Sequence, residues 1–209
     1  RQMPSHFGYA PSRIVSSSSP VATQMPQAAG IALGAKLRGL DEVVVVTLGE
    51  GSTSQGDFHE ALNWAGIHCL PLITLVQNNQ YAISVPMEQQ MPVINVADRG
   101  DAYGMPGVMY DGNDIFESYN VAREAVLRAR RGEGATLLEA KTYRPTPHSS
   151  DDDDRSYRSR DEVEMWKKRD PILRMERVLR KESILDDAEA ERILHRVGVK
   201  VDDATDYAQ

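Results

Sequence analysis

The chain has one cysteine, Cys69, among 209 residues. A single thiol excludes an internal disulfide framework and fits a reducing compartment. Cys69 sits beside an apolar strand and is expected as a small buried residue rather than a nucleophile. No run approaches the ~20 apolar residues of a membrane-spanning helix. No secretory signal stretch stands at the start, and no internal repeat is visible. Positive charge is also short: 24 Lys and Arg face 31 Asp and Glu, a formal net charge of −7. That balance argues against nucleic acid as a general partner. The chain begins at Arg1 without an initiator Met, as a fragment or a trimmed chain would. Its length suffices for one large domain with a sizeable core.

What is present centres on Val43 to Pro86. Val43-Val44-Val45-Val46-Thr47-Leu48 is too apolar for a surface strand and fits one buried on both faces of a parallel sheet. Gly49-Glu50-Gly51 follows as a turn with an acid at its tip. Asp57 to Gly66 reads as a helix, capped by Asp57, with Phe58, Ala61, Leu62 and Ala65 on one face. Leu72 to Val76 is a second buried strand, ending in Gln77-Asn78-Asn79. This is a strand–helix–strand unit.

Parallel strands end on the same side of their sheet, so Glu50 and Asn79 both emerge at the carboxyl edge, where open α/β sheets bind ligands. A carboxylate and an amide oxygen are hard donors of the kind magnesium prefers, with positions left for phosphate oxygens and water. The glycines admit close approach of backbone N–H groups to a diphosphate, aided by a helix start. Taken singly, each signal is weak. A lone Gly-x-Gly fails the Gly-x-Gly-x-x-Gly dinucleotide pattern, because Ser52, Thr53 and Ser54 follow. Asn-Asn after a strand is most often a turn. One strand–helix–strand unit apart, the two together are much more specific, and the reading from the residues is a metal–diphosphate site.

Gly49-Glu50-Gly51, then 26 residues (52–77), then Asn78-Asn79 resembles the thiamine diphosphate motif, usually written GDG…NN. The words GEGSTSQGDFHEA and QNNQYAISVP further resemble the alpha subunits of branched-chain 2-oxo acid dehydrogenases, the thiamine-dependent decarboxylating components. The resemblance covers essentially the whole chain. Glu50 in place of the commoner Asp favours that subgroup over pyruvate dehydrogenases. The resemblance implies an α/β fold with a doubly wound, mostly parallel sheet of the thiamine diphosphate-binding type and a helical C-terminal tail. It implies thiamine diphosphate held through Mg2+ by Glu50, Asn79 and the Tyr81 carbonyl. Gly49, Gly51 and Ser52 would lie against the diphosphate, and Ile83 against the cofactor.

A small-residue helix is expected over Thr23 to Leu37, rich in Ala and Gly for close packing. In related enzymes its approach supplies a K+ site; carried over, the ligands are Ser18, Pro20, Thr23 and Gln24, with Ser19 and Val21 facing the cofactor. His6 is placed near the entrance without a role. Further on, Val96 to Ala102 reads as a short helix and Val108 to Tyr110 as a strand. A helix capped by Asn113 or Asp114 follows, stopped by Gly132, and then a buried strand, Thr136 to Ala140.

Tyr143 to Ser159, YRPTPHSSDDDDRSYRS, has the composition of an acidic surface loop. The Tyr143-Arg144 and Tyr157-Arg158 pairs would tie down its aspartates and order it. It resembles the family's active-site loop, in which His148 matches the catalytic histidine and Ser149 the phosphorylated serine of mammalian members. An imidazole titrates near neutrality and suits proton movement or charge support during acyl transfer.

Residues 1–159 are expected as the cofactor-binding domain and 160–209 as a helical extension on that domain or on a partner. Its helices are read at Asp161 to Lys167, Pro171 to Lys181 and Asp186 to Arg196, with Asp202 to Gln209 frayed. The activity implied is oxidative decarboxylation of a branched 2-oxo acid and acylation of a lipoyl arm. The partners implied are a beta subunit in an α2β2 assembly and a lipoyl-bearing transacylase core, in bacterial cytoplasm or the mitochondrial matrix. No residue here matches the glutamate that activates the thiazolium, which the family places on the beta subunit. Competing readings are a pyruvate or acetoin dehydrogenase alpha subunit, a non-catalytic Rossmann-like nucleotide module, and a structural subunit with a vestigial site.

Overall fold

The computed structural model describes residues 6–16 and 19–208. Six strands occur among them: β1 (Val44–Gly49), β2 (Leu72–Asn78), β3 (Tyr81–Ala82), β4 (Val85–Pro86), β5 (Gly107–Asp111) and β6 (Thr136–Lys141). The helices are α1 (Gln24–Leu37), α2 (Gly56–Ile67), α3 (Met87–Gln90), α4 (Ile115–Arg130), α5 (Arg160–Lys167), α6 (Pro171–Lys181) and α7 (Asp187–Ala208). Two 3-10 segments matter for the site, Glu50–Ser54 and Val96–Tyr103.

The central sheet has the order β1-β2-β6-β5, with every pairing parallel. β3 and β4 form a small antiparallel hairpin. Period-two alternation sorts the side chains of the sheet. Val46, Leu48, Leu72, Val76 and Leu137 pack with Met25, Ala28 and Ala32 of α1 and with Phe58, Leu62 and Ala65 of α2. The opposite face carries Ile73, Leu138, Ala140 and Tyr110, packed with Ala125 of α4. Helices on both faces make the fold a doubly wound α/β sheet, as expected. Phe58, Leu62, Leu72, Val76 and Leu137 are fully buried, each contributing about 1.5–3 kcal/mol of apolar burial. Small residues let α1 lie low on the sheet: Ala29 and Ala32 are both buried.

The chain divides into two compact units, residues 1–167 and 168–209. The division falls after α5 rather than before it, because Val163 of α5 is buried beside Tyr81 and Tyr143, and Trp166 stacks on Tyr143 at 5.1 Å. In the second unit Asp170 caps α6 by accepting from Ile172 N, and Asp186 accepts from Glu189 N at the start of α7.

Three local expectations are corrected. Asp57 lies inside the first turn of α2, whose N-cap position is Gln55; its carboxylate therefore meets the positive helix end rather than capping it. Cys69 is exposed, at φ +45° just past α2, where its N–H bonds Gly66 O. Closing that helix in a left-handed conformation turns the side chain outward. Residues 202–208 are helical, the last part of α7. Gly198 costs a helix only about 1 kcal/mol, and no proline interrupts the segment.

Candidate metal and cofactor site

β1 ends at Gly49, paired in register with Gln77 of β2, so residues 50 and 79 leave the sheet side by side. Glu50 opens the 3-10 turn and is only 1% exposed. Its Oε2 accepts the Asn79 backbone N–H at 3.1 Å. Its Oε1 is buried with no hydrogen-bond partner among the described residues. The acid expected at the tip of a turn is thus folded inward against the second strand end. Asn79 Oδ1 accepts the Tyr81 N–H at 3.2 Å, which holds its amide at the same turn.

The glycine after the acid is required by space. A Cβ at Gly51 would lie 2.5 Å from the Ala82 Cβ on the neighbouring hairpin. Thr53, fully buried, donates from Oγ1 to Glu50 O at 2.7 Å, and Arg99 Nη1 donates to both Thr53 oxygens at 3.0 Å. The turn carrying Glu50 is therefore fixed from the 96–103 segment. His59 of α2 lies on the same segment through a hydrogen bond to the Tyr103 hydroxyl. Burial first, and then the Arg99 charge, lower the pKa of His59.

Past Asn79 the chain is held open. Gln80 has φ +75° and Ile83 φ +58°; for a β-branched residue that is strain. Ile83 is nonetheless 55% exposed, so no burial compensates it. Arg144 clamps this strained stretch, donating to Tyr81 O at 3.3 Å and to Ile83 O at 2.6 Å. The Tyr81 carbonyl thus accepts from Arg144, and a carbonyl oxygen has two lone pairs. The Tyr81 hydroxyl donates to Glu162 at 2.9 Å, and burial followed by that acid pushes its pKa up.

The acidic loop is tied at two levels, as the flanking arginines suggested. Arg144 Nη2 donates to the Tyr157 hydroxyl at 3.0 Å, which donates to Asp152 Oδ2 at 2.6 Å. The same carboxylate accepts the His148 backbone N–H at 2.7 Å. Beneath it, Arg158 donates from Nε and Nη2 to buried Asp154 at 3.0 and 2.7 Å, and faces the rings of Tyr81, Tyr143 and Tyr157. The His148 and Ser149 side chains are exposed. The loop backbone is thus anchored while the imidazole is presented to solvent.

At the α1 approach, Ser18 lies outside the described residues. Thr23 Oγ1 donates to Pro20 O at 2.9 Å, and Gln24 Nε2 donates to Thr47 O of β1 at 3.1 Å. Pro20, Thr23 and Gln24 therefore cluster beside the carboxyl end of β1. Ser19 Oγ lies 2.6 Å from His6 Nε2, and Val21 is 55% exposed. Gly49 and Ser52 flank Glu50 and Gly51 in sequence and are half-buried.

Sequence reasoning passed over Glu139, fully buried on β6, and Lys141 beside it. The one available signal was an acid inside an otherwise apolar strand, Thr136 to Ala140. A cavity of about 760 Å³, lined by Asn78, Gln80, Tyr81, Met87 and Lys141, opens next to them. Among the described residues no group of three or more His, Cys, Asp or Glu could hold a metal. A site built of one carboxylate, one amide and one backbone carbonyl is of a different kind. The donors at Glu50, Asn79 and Tyr81 are all hard oxygens, and the unpartnered Glu50 oxygen has capacity to spare, so the residues fit a divalent ion of the magnesium type.

The family model described as "Dehydrogenase E1 component" matches residues 1–209. The chain is 52% identical over its whole length to the 2-oxoisovalerate dehydrogenase subunit alpha of Bacillus subtilis, covering 63% of that protein. It is 44% identical over 86% of its length to the 3-methyl-2-oxobutanoate dehydrogenase subunit alpha of Mycobacterium tuberculosis, covering 49% of it. It is 41% identical over its whole length to the mitochondrial 2-oxoisovalerate dehydrogenase subunit alpha of Bos taurus, covering 46% of it. The chain thus spans between about half and 63% of these relatives.

Proposed function

Because the chain belongs to the dehydrogenase E1 component family, we propose that it is the metal- and diphosphate-binding part of the alpha subunit of a branched-chain 2-oxo acid dehydrogenase. The observation that carries this is the buried, unpartnered Glu50 oxygen, held at one strand end against Asn79 at the next. Glu50, Asn79 and the Tyr81 carbonyl would hold Mg2+. Gly49, Gly51 and Ser52 would receive the diphosphate of thiamine diphosphate, with Ser19, Val21 and Ile83 against the rest of the cofactor. Bound there, the cofactor would supply the carbanion chemistry of decarboxylation. Ser18, Pro20, Thr23 and Gln24 would form a K+ site, a role that suits the oxygen donors of the last three and their place beside β1.

The exposed His148 ring, on a loop anchored at Asp152 and Asp154, moves a proton or steadies charge as the acyl group passes to a lipoyl arm. The strained, exposed Ile83 is pre-set to meet a ligand rather than the protein core. A beta subunit supplies the remaining acid and closes the site, a lipoyl-bearing transacylase accepts the acyl group, and the assembly works in bacterial cytoplasm or the mitochondrial matrix.

Turnover by the full-length alpha subunit coexpressed with its beta subunit tests the reading. With Mg2+ and thiamine diphosphate, 3-methyl-2-oxobutanoate should exceed pyruvate in kcat/KM by about tenfold or more, the scale on which pocket shape discriminates apolar groups. A preference for pyruvate would move the chain to that enzyme. Thermal stabilisation by NAD or ATP, with none from Mg2+ and thiamine diphosphate, would reject the site assignment.

A further inference from the structure

We propose that Glu139 is a positioning residue for the metal-binding turn and acts through Asn78. The inference rests on the reading of Glu50 and Asn79 as a Mg2+–thiamine diphosphate site. Glu139 has no exposed surface. Its Oε1 accepts from Asn78 Nδ2 at 2.6 Å and from Lys141 Nζ at 2.7 Å, and its Oε2 accepts the Ala97 N–H at 2.8 Å. Both carboxylate oxygens are therefore engaged, in contrast to Glu50. Asn78 is equally buried and passes the constraint on: its Oδ1 accepts the Gln80 N–H at 3.1 Å. That bond closes the reversal in which Gln80 takes φ +75°. Asn79 stands between the two anchored residues, with its own N–H on Glu50 and its Oδ1 on Tyr81 N.

A fully buried carboxylate, here paired with the half-buried Lys141, is a poor means of stabilising a fold, since apolar side chains of similar volume serve as well or better. What this one secures is geometry. The Asn78 side chain has two polar ends: its amide nitrogen binds Glu139 and its oxygen fixes the turn that presents Asn79 and Tyr81. Glu139 thus sets the orientation of residues that would ligate the ion, as outer partners do for metal ligands generally.

The test uses the full-length alpha subunit with its beta subunit, as Glu139→Gln and as Asn78→Ala, which leaves Glu139 with Lys141 and Ala97. Mg2+ is titrated at saturating thiamine diphosphate and followed by tryptophan fluorescence, and the Tm of the cofactor-free protein is measured alongside. Both variants should need about tenfold more Mg2+ for half-saturation, with kcat restored to within about twofold at saturating Mg2+. A lowered Tm with unchanged Mg2+ half-saturation would overturn the proposal and leave Glu139 a purely structural part. If neither variant accumulates folded, the proposal fails in the same way. If the unmodified enzyme shows no Mg2+-dependent binding of thiamine diphosphate, the site assignment itself falls first, and this inference with it.

Discussion

Glu50 holds a carboxylate oxygen that is buried and bonded to nothing among the described residues, a cost that calls for an explanation, which the proposed ion supplies. Replacing the charge should therefore separate stability from binding. Glu50→Gln is expected to stabilise the cofactor-free protein by about 1 kcal/mol, visible by calorimetry as a rise of about 2–4 °C, while abolishing Mg2+-dependent stabilisation. A lower cofactor-free Tm would contradict the description of Glu50. His59 gives a second test. Its folded pKa lies below the ordinary 6.5, through burial and Arg99, so the unfolded chain takes up the proton more readily. Its stabilising contribution is full above pH 6.5 and fades as pH falls through the folded value. Denaturant midpoints should drop between pH 7 and 5.5, and the drop should be shallower in His59→Gln. That Glu50 and Asn79 meet at neighbouring strand ends was legible in the sequence, because the strands that carry them are read from apolar runs. Glu139 was not, because an acid in a strand discloses its role only once Asn78, Ala97 and Lys141 converge on it.

Short apolar runs marked β1, β2 and β6, and β2 and β6 are buried on both faces. The expectation fails for β1, an edge strand that buries Val46 and Leu48 and leaves Val45 55% exposed, because nothing in a run of valines says which strand lies at the edge. The 3-10 turn at Glu50–Ser54 was harder. Its form depends on Thr53 and on Arg99, 46 residues on from Thr53, and local sequence carries no trace of so distant a contact. The left-handed turn at Cys69 was missed for a related reason: a non-glycine helix stop leaves no Gly to read. The loop of residues 143–159 was legible as far as its pairing of arginines with aspartates, but the relay through Tyr157 to Asp152 depends on the fold. At this scale the site is a meeting of two elements, the Glu50 turn and the β3–β4 hairpin. Gly51→Ala would push a methyl to 2.5 Å from Ala82 and should force them apart. The expected loss is about 1–3 kcal/mol of stability together with cofactor binding, measured by denaturant unfolding and by titration with thiamine diphosphate. Wild-type affinity in that variant would show that the two elements need not touch.

For the whole molecule, composition excluded classes of function without selecting one. Net charge, one cysteine and the lack of long apolar runs are shared by many α/β chains; the motif at two strand ends did the selecting. The parallel strand–helix–strand unit followed from apolar patterning and the doubly wound sheet from the family resemblance, and no helix among the described residues is long and apolar enough to cross a membrane. What the proposed partner would supply is beyond the reach of either composition or pattern, because a site shared between two chains would leave only part of its chemistry on this one. The central claim is that Glu50 and Asn79 hold one divalent ion between them. Anomalous diffraction from Mn2+ in crystals of the coexpressed assembly with thiamine diphosphate tests it most directly. The account predicts a single peak about 2.0–2.3 Å from a Glu50 carboxylate oxygen and from Asn79 Oδ1; a peak bound by other residues, with Glu50 still facing Asn79 N alone, would contradict it.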